Sequence, residues 1–174
     1  MNQAHLHLLL NHVPVIGAIF CLLLLLVALL RKSDELKRVS LGGLVLVSLL
    51  TIPAYLTGEP AEKVVEHLPG VSEALIESHE KAALVAFITL LATGIVALGG
   101  LIWSRRRTAL PGAVVTVALL LTAVTVGLMA YTANLGGQIR HTEIRAGANS
   151  AAQSVESGSS NEKKHDDDER KEHR

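Results

Sequence analysis

Four long stretches without a charged side chain limit the possible folds of this sequence more than any other feature. They cover residues 13–30, 39–57, 82–104 and 108–134. A helix of about 20 apolar residues crosses the hydrocarbon layer of a bilayer, which is roughly 30 Å thick. Each stretch has close to this length, so the sequence predicts four membrane spans.

The spans are predicted to be helices. In hydrocarbon, backbone polar groups need partners within the protein, and only helices and closed barrels supply them. Barrel strands alternate polar and apolar residues, whereas Leu22–Val27 is continuously apolar. Because the connections are short, sequential helices become neighbours. We therefore predict an all-α integral membrane four-helix bundle with up-down-up-down topology.

The connections between the spans differ in charge. Residues 31–38 include four basic side chains, and residues 105–107 are all arginine. Residues 58–81 instead carry six glutamates and two lysines. By the positive-inside rule the two basic turns are cytoplasmic. The acidic loop and both termini then face outward, which predicts a bacterial inner-membrane protein with periplasmic termini.

The outer segments have their own local signals. Residues 60–68 are predicted to form a short helix that ends at Pro69-Gly70, and Ser72 is predicted to cap a second segment leading into the third span. After residue 145 the sequence becomes rich in small polar and then charged residues, which cannot repay the entropy of ordering. We predict a transmembrane domain over 1–145 and a disordered charged tail over 146–174.

Several functions are disfavoured by what the sequence lacks. The spans contain no Asp, Glu, Lys or Arg, the residues that proton pumps and ion-coupled transporters use inside the membrane. The formal net charge is zero, so there is no electrostatic case for nucleic acid as a partner. No phosphate-binding loop or zinc-protease motif is present. We expect an electron-transfer or accessory subunit in the lipid bilayer rather than an enzyme.

Histidines mark the predicted outer end of the bundle. His12 begins the first span, His79 begins the third, and His141 follows the fourth. A helix N-terminus disfavours imidazolium, so His12 and His79 are expected to be neutral and able to ligate. Two neutral imidazoles on facing helices can hold a haem iron. We predict that His12 and His79 bind haem b, with His7 and His141 as supporting or alternative ligands.

Two other interpretations fit the same histidines. A zinc or copper site needs three or four ligands, which His7, His12, His79 and His141 can supply. Alternatively, these side chains bond only to loop backbone near the membrane surface. Aromatic residues make up 3% of the chain, and this scarcity counts against a haem pocket. A haem protein would join a larger membrane redox complex or a homo-oligomer; the alternative function is a non-catalytic structural subunit of a membrane complex.

Residues 7–14, with the sequence HLLLNHVP, resemble the opening of an uncharacterised family of small bacterial membrane proteins, domain of unknown function 2231. The family pattern is HPxLxHFP. Leu8 and Val13 depart from it, which leaves a sister family as the alternative. The likeness extends to His79 and to the Gly-Gly pair at 136–137. The resemblance implies four helices and a suspected haem or redox association, and it favours His7, His12 and His79 over the other histidines.

Overall fold

The structure is a computed structural model that describes residues 2–105 and 109–145. Its helices are α1 (Gln3–Leu10), α2 (His12–Leu30), α3 (Asp34–Leu56), α4 (Gly58–Val65), α5 (Glu73–Ser104) and α6 (Gly112–Arg140), followed by a 3₁₀ turn at Thr142–Ile144. The described residues contain no strand, so the all-α prediction is confirmed. The predicted tail over 146–174 lies outside the described residues.

Four helical stretches are long and apolar enough to cross a membrane. The first joins α1 to α2, and the second joins α3 to α4. Their bounds are Gln3–Leu30, Asp34–Val65, Glu73–Ser104 and Gly112–Arg140. Each overlaps one predicted span and extends beyond it. The fourth begins later than predicted, because Pro111 precedes the helix in an extended conformation.

The long helices pack in a closed ring. Helix α2 packs against α3, α3 against α5, α5 against α6, and α6 against α2. Buried positions recur every three or four residues, which is the spacing of one helix face. On α2 the buried residues are Pro14, Ala18, Cys21, Leu25 and Ala28. On α5 they are Ile76, Ala86, Leu90, Thr93, Gly94, Ala97, Gly100 and Ser104.

Glycines set how closely these helices approach one another. Gly94 of α5 lies directly against Ser48 of α3, so that a Cβ atom at position 94 would overlap the serine side chain. A Cβ atom at Gly17 would lie 2.6 Å from Val47 Cγ2. Gly99, in contrast, has nothing within 4 Å of the position a Cβ atom would take. The contact between α3 and α5 therefore depends on the absence of a side chain at position 94.

Candidate functional site

Helix α1, which the sequence prediction missed, changes which histidine faces the bundle. Asn2 caps α1 by accepting a hydrogen bond from Ala4 N at 3.1 Å. Only Asn11 separates α1 from α2. His7, Asn11 and Pro14 are three or four residues apart, so they extend the line of buried residues on the inner face of α2, which we call the inward stripe. His12 lies off this stripe and is exposed. The Asn2 cap is the sequence signal that could have found this helix.

His7 is anchored where α3 meets α4. Its Nδ1 lies 3.1 Å from Ala54 O and 3.2 Å from Thr57 Oγ1. A carbonyl oxygen can only accept, so Nδ1 carries the proton of the neutral ring and Nε2 keeps a lone pair. His7 is therefore a half-buried ring that is held through Nδ1.

His79 has the same arrangement between α5 and α6. Its Nδ1 lies 3.0 Å from Thr132 O, which again leaves Nε2 with a lone pair. A Cβ atom at Gly136 would lie 3.1 Å from His79 Cε1, so this glycine makes room for the ring. His79 is therefore also a partly buried ring that is held through Nδ1.

The cause of this neutrality differs from the prediction. The sequence placed His79 at a helix N-terminus, but α5 begins at Glu73, more than one turn earlier. The helix dipole acts mainly within the first turn. Loss of hydration, rather than the helix terminus, therefore favours the neutral imidazole at this position.

The other two predicted ligands are exposed. His12 Nδ1 lies 2.7 Å from Leu8 O, one turn earlier in the same polypeptide segment. His141 directly follows α6, as predicted, and its Nδ1 lies 2.8 Å from Glu143 Oε1. Thus His7 and His79 are the partly buried members of the predicted set, while His12 and His141 are exposed. Among residues 2–105 and 109–145, no group of three His, Cys, Asp or Glu side chains is placed to hold a metal ion.

Two carboxyl groups meet beside His79. Glu62 of α4 and Glu80 of α5 lie close enough for their carboxyl groups to interact. Like His7 and His79, Glu62 lies outside the charge-free stretches. The acidic loop is thereby joined to α5 next to one histidine of the pair.

Asn11 lies on the inward stripe together with His7. Its side-chain oxygen Oδ1 is buried and has no hydrogen-bond partner among the residues that the structure describes. An unsatisfied buried acceptor costs about 1–3 kcal/mol. Such a cost is common at sites where a ligand or a bound water provides the missing donor. Asn11 is therefore a further polar residue of this region, which was not predicted as part of the site.

The aromatic residues contribute little to the interior at this end. Tyr55 and Phe87 stack on each other, with ring centroids 4.3 Å apart and planes 9° apart. Phe20 is 63% exposed and lies on the outer surface of α2. Small residues lie beside the two histidines instead: Ala54 and Gly58 next to His7, and Gly136 next to His79.

Comparison of the chain with protein-family models, with curated proteins and with solved structures gives no match. The functional argument therefore depends on the histidine pair and its surroundings.

Proposed function

We propose that the protein is a small multi-pass inner-membrane subunit that holds a b-type haem between His7 and His79 and serves in electron transfer. One observation carries this proposal: both rings are half-buried, and each is fixed through Nδ1 by a backbone carbonyl, Ala54 O or Thr132 O. Metal-binding histidines are commonly oriented in this way, because the bond at one nitrogen fixes the ring and leaves the other nitrogen as the ligand.

The number of ligands favours haem over a bare metal ion. Zinc and copper sites use three or four protein ligands, and the described ranges 2–105 and 109–145 contain no such group. A haem iron needs only two axial ligands, which two imidazoles supply. When bound, the haem would provide reversible one-electron transfer. The role of the chain is to orient the two rings and to surround the macrocycle with small apolar residues.

His12 with His79 remains the alternative pair. His12 also presents a free Nε2, since its Nδ1 donates to Leu8 O, but its ring is exposed and lies off the inward stripe. His141, bonded to Glu143 at the end of α6, has a supporting role in either case. The family resemblance remains a prediction under both pairings, because the motif HLLLNHVP contains both His7 and His12.

The absorption spectrum tests the cofactor directly. We expect protein purified from haem-replete cells to show a Soret band, sharp visible bands after reduction with dithionite, and haem in stoichiometric amount. These bands are the signature of a low-spin iron with two imidazole ligands. A colourless and metal-free protein, prepared from cells that contain excess haem, would contradict the proposal.

The orientation in the membrane is part of the same proposal. Apolar side chains cover the outer surfaces of the four long helices, as exposed Leu23, Leu49, Ile88 and Leu120 illustrate. This surface suits lipid, and the basic turns favour an up-down-up-down bundle with both termini and the acidic loop in the periplasm.

Cysteine labelling of intact cells tests this orientation. We expect a cysteine at Glu66, in the acidic loop, to react with an impermeant maleimide, and a cysteine at Glu35, in the first basic turn, to react only after permeabilisation. The native Cys21 is buried and is replaced by alanine to remove background. The reverse labelling pattern would contradict the orientation.

One observation favours a second candidate function, a non-catalytic subunit of a larger membrane complex or homo-oligomer. The exposed surface of α6 includes the small residues Ala123, Gly127 and Ala130. A Cβ atom at Gly127 would have nothing within 4 Å. Small residues on a membrane helix permit close approach of another helix. This candidate replaces the first one if the purified protein contains no haem.

A further inference from the structure

Arg145 connects two distant parts of the chain. Its Nη2 donates to Gly70 O at 2.7 Å. On its other side, Nε donates to Gln138 O at 2.8 Å and Nη2 to Ile139 O at 3.1 Å. The guanidinium therefore caps the last carbonyls of α6 and at the same time binds the turn that follows α4.

The segment bound by Arg145 reaches the histidine pair. We call residues 58–72, which comprise α4 and the turn that follows it, the cap segment. Helix α4 packs against α1, and a Cβ atom at Gly58 would lie 3.8 Å from His7 Cε1. Further along, the carboxyl group of Glu62 lies close enough to interact with that of Glu80, the neighbour of His79. The cap segment thus contacts the surroundings of both histidines.

Few contacts hold the cap segment in place. Ala61 is the only residue of α4 that is buried. The Glu59–Lys63 ion pair is exposed and lies within α4 itself, so it does not fasten the segment to the bundle. Gly70 has a φ of +80°, which other residues rarely adopt. Segments with little buried surface open locally at far lower cost than the whole protein unfolds.

We propose that the cap segment is a lid over the histidine pair and that Arg145 is the latch that keeps it closed. The lid controls how readily a solute reaches the Nε2 atoms of His7 and His79. The identity of the group that the lid admits rests on the proposed haem function. The lid itself does not rest on that function, because the effect of Arg145 can be measured on protein without a cofactor.

Chemical modification of histidine measures the lid directly. Diethyl pyrocarbonate acylates the lone-pair nitrogen of neutral imidazole, and tandem mass spectrometry locates each modified residue in the full-length protein. We expect Arg145→Ala to raise the modification rates of His7 and His79 by roughly tenfold, because a charged hydrogen bond to the lid is lost. Exposed His5 and His12, which lie outside the cap segment, serve as internal references whose rates stay constant. Arg140→Ala is the matched control, since Arg140 is an exposed arginine at the end of α6.

A second variant separates the latch from the helix cap. Gly70→Ala strains the turn through the positive φ of residue 70 and leaves the hydrogen bonds from Arg145 to Gln138 and Ile139 of α6 in place. We therefore expect roughly fivefold faster modification of His7 and His79. Hydrogen exchange should then quicken in residues 58–72 in both variants. If Arg145→Ala does not fold, Arg145→Lys and Gly70→Ala carry the test.

Two results would overturn the lid. One is unchanged reactivity of His7 and His79 in both Arg145→Ala and Gly70→Ala. The other is faster exchange confined to the last turn of α6 in Arg145→Ala, which would make this arginine a helix cap only. If the variants react as expected but the protein never binds haem, the proposed function is contradicted and the lid proposal is still supported.

Discussion

Replacing His79 with alanine is expected to abolish haem binding, so that the purified variant loses the Soret band. His79 is the histidine common to both candidate pairs, and its ring is fixed by Thr132 O at 3.0 Å and accommodated by Gly136. Changes to residues that merely orient a metal ligand typically cost 10–100-fold in affinity. Loss of the ligand itself should cost at least about 100-fold. Titration of the apoprotein with haem, followed by absorbance, measures this loss.

Single variants of the other histidines decide which ring completes the pair. We expect His7→Ala to bind haem weakly in a high-spin form that added imidazole converts back to low-spin. His12→Ala and the exposed control His67→Ala should keep the wild-type spectrum. If His12→Ala loses the band and His7→Ala retains it, the pair is His12 and His79, as the sequence predicted. Circular dichroism of each variant checks that the helices remain formed.

The second large effect is expected at the contact between α3 and α5. Gly94→Ala places a methyl group in the space of the Ser48 side chain. Overpacking of this kind costs about 1–3 kcal/mol, so we expect a clear loss of thermal stability in detergent. The matched control is Gly99→Ala on the same helix, where the methyl group meets open space. The control should be neutral or slightly stabilising, because alanine is the better helix former by about 1 kcal/mol.

A compensating change tests the physical cause. Ser48→Gly removes the side chain that the new methyl group would overlap, so the Ser48→Gly, Gly94→Ala double variant should recover much of the lost stability. Neighbouring positions are expected to be non-additive in this way. Equal losses for Gly94→Ala and Gly99→Ala would show that the close approach of α3 and α5 does not determine the stability of the bundle.

Much of the helical architecture can be predicted from the positions of charged residues. A charged side chain in the hydrocarbon layer costs much free energy, so a long stretch without one predicts a membrane-spanning helix. A short helix in the acidic loop was also predicted from local signals, but over 60–68. The structure has it at Gly58–Val65, so it ends before Pro69-Gly70 is reached. Ser72 precedes α5 as predicted, although its side chain makes no capping hydrogen bond. Helix α1 was missed because the first residues contain no charged side chain and no strong periodic pattern. Its cap, Asn2, is a single residue.

The identity of the histidine pair could not be predicted for a different reason. Whether His7 or His12 faces the bundle depends on the rotation of the first helix, and a one-residue difference turns a side chain by about 100°. That rotation is set by packing between distant residues, such as Gly17 against Val47. Ala54 and Thr132 hold the rings through carbonyl oxygens. Every residue has a carbonyl oxygen, so these partners carry no sequence signal.

The anchors of the two rings also impose an order on biosynthesis. His7 is held by Ala54, 47 residues later in the chain, and His79 is held by Thr132, 53 residues later. A ribosome delivers the N-terminal part first, so neither ring can be fixed at the time it is synthesised. The second ring acquires its anchor only after the last helix has been made. A chain that stops before α6 would contain both histidines but would lack Thr132, which holds His79. Under the proposed function, only a chain with all of its helices would then bind haem.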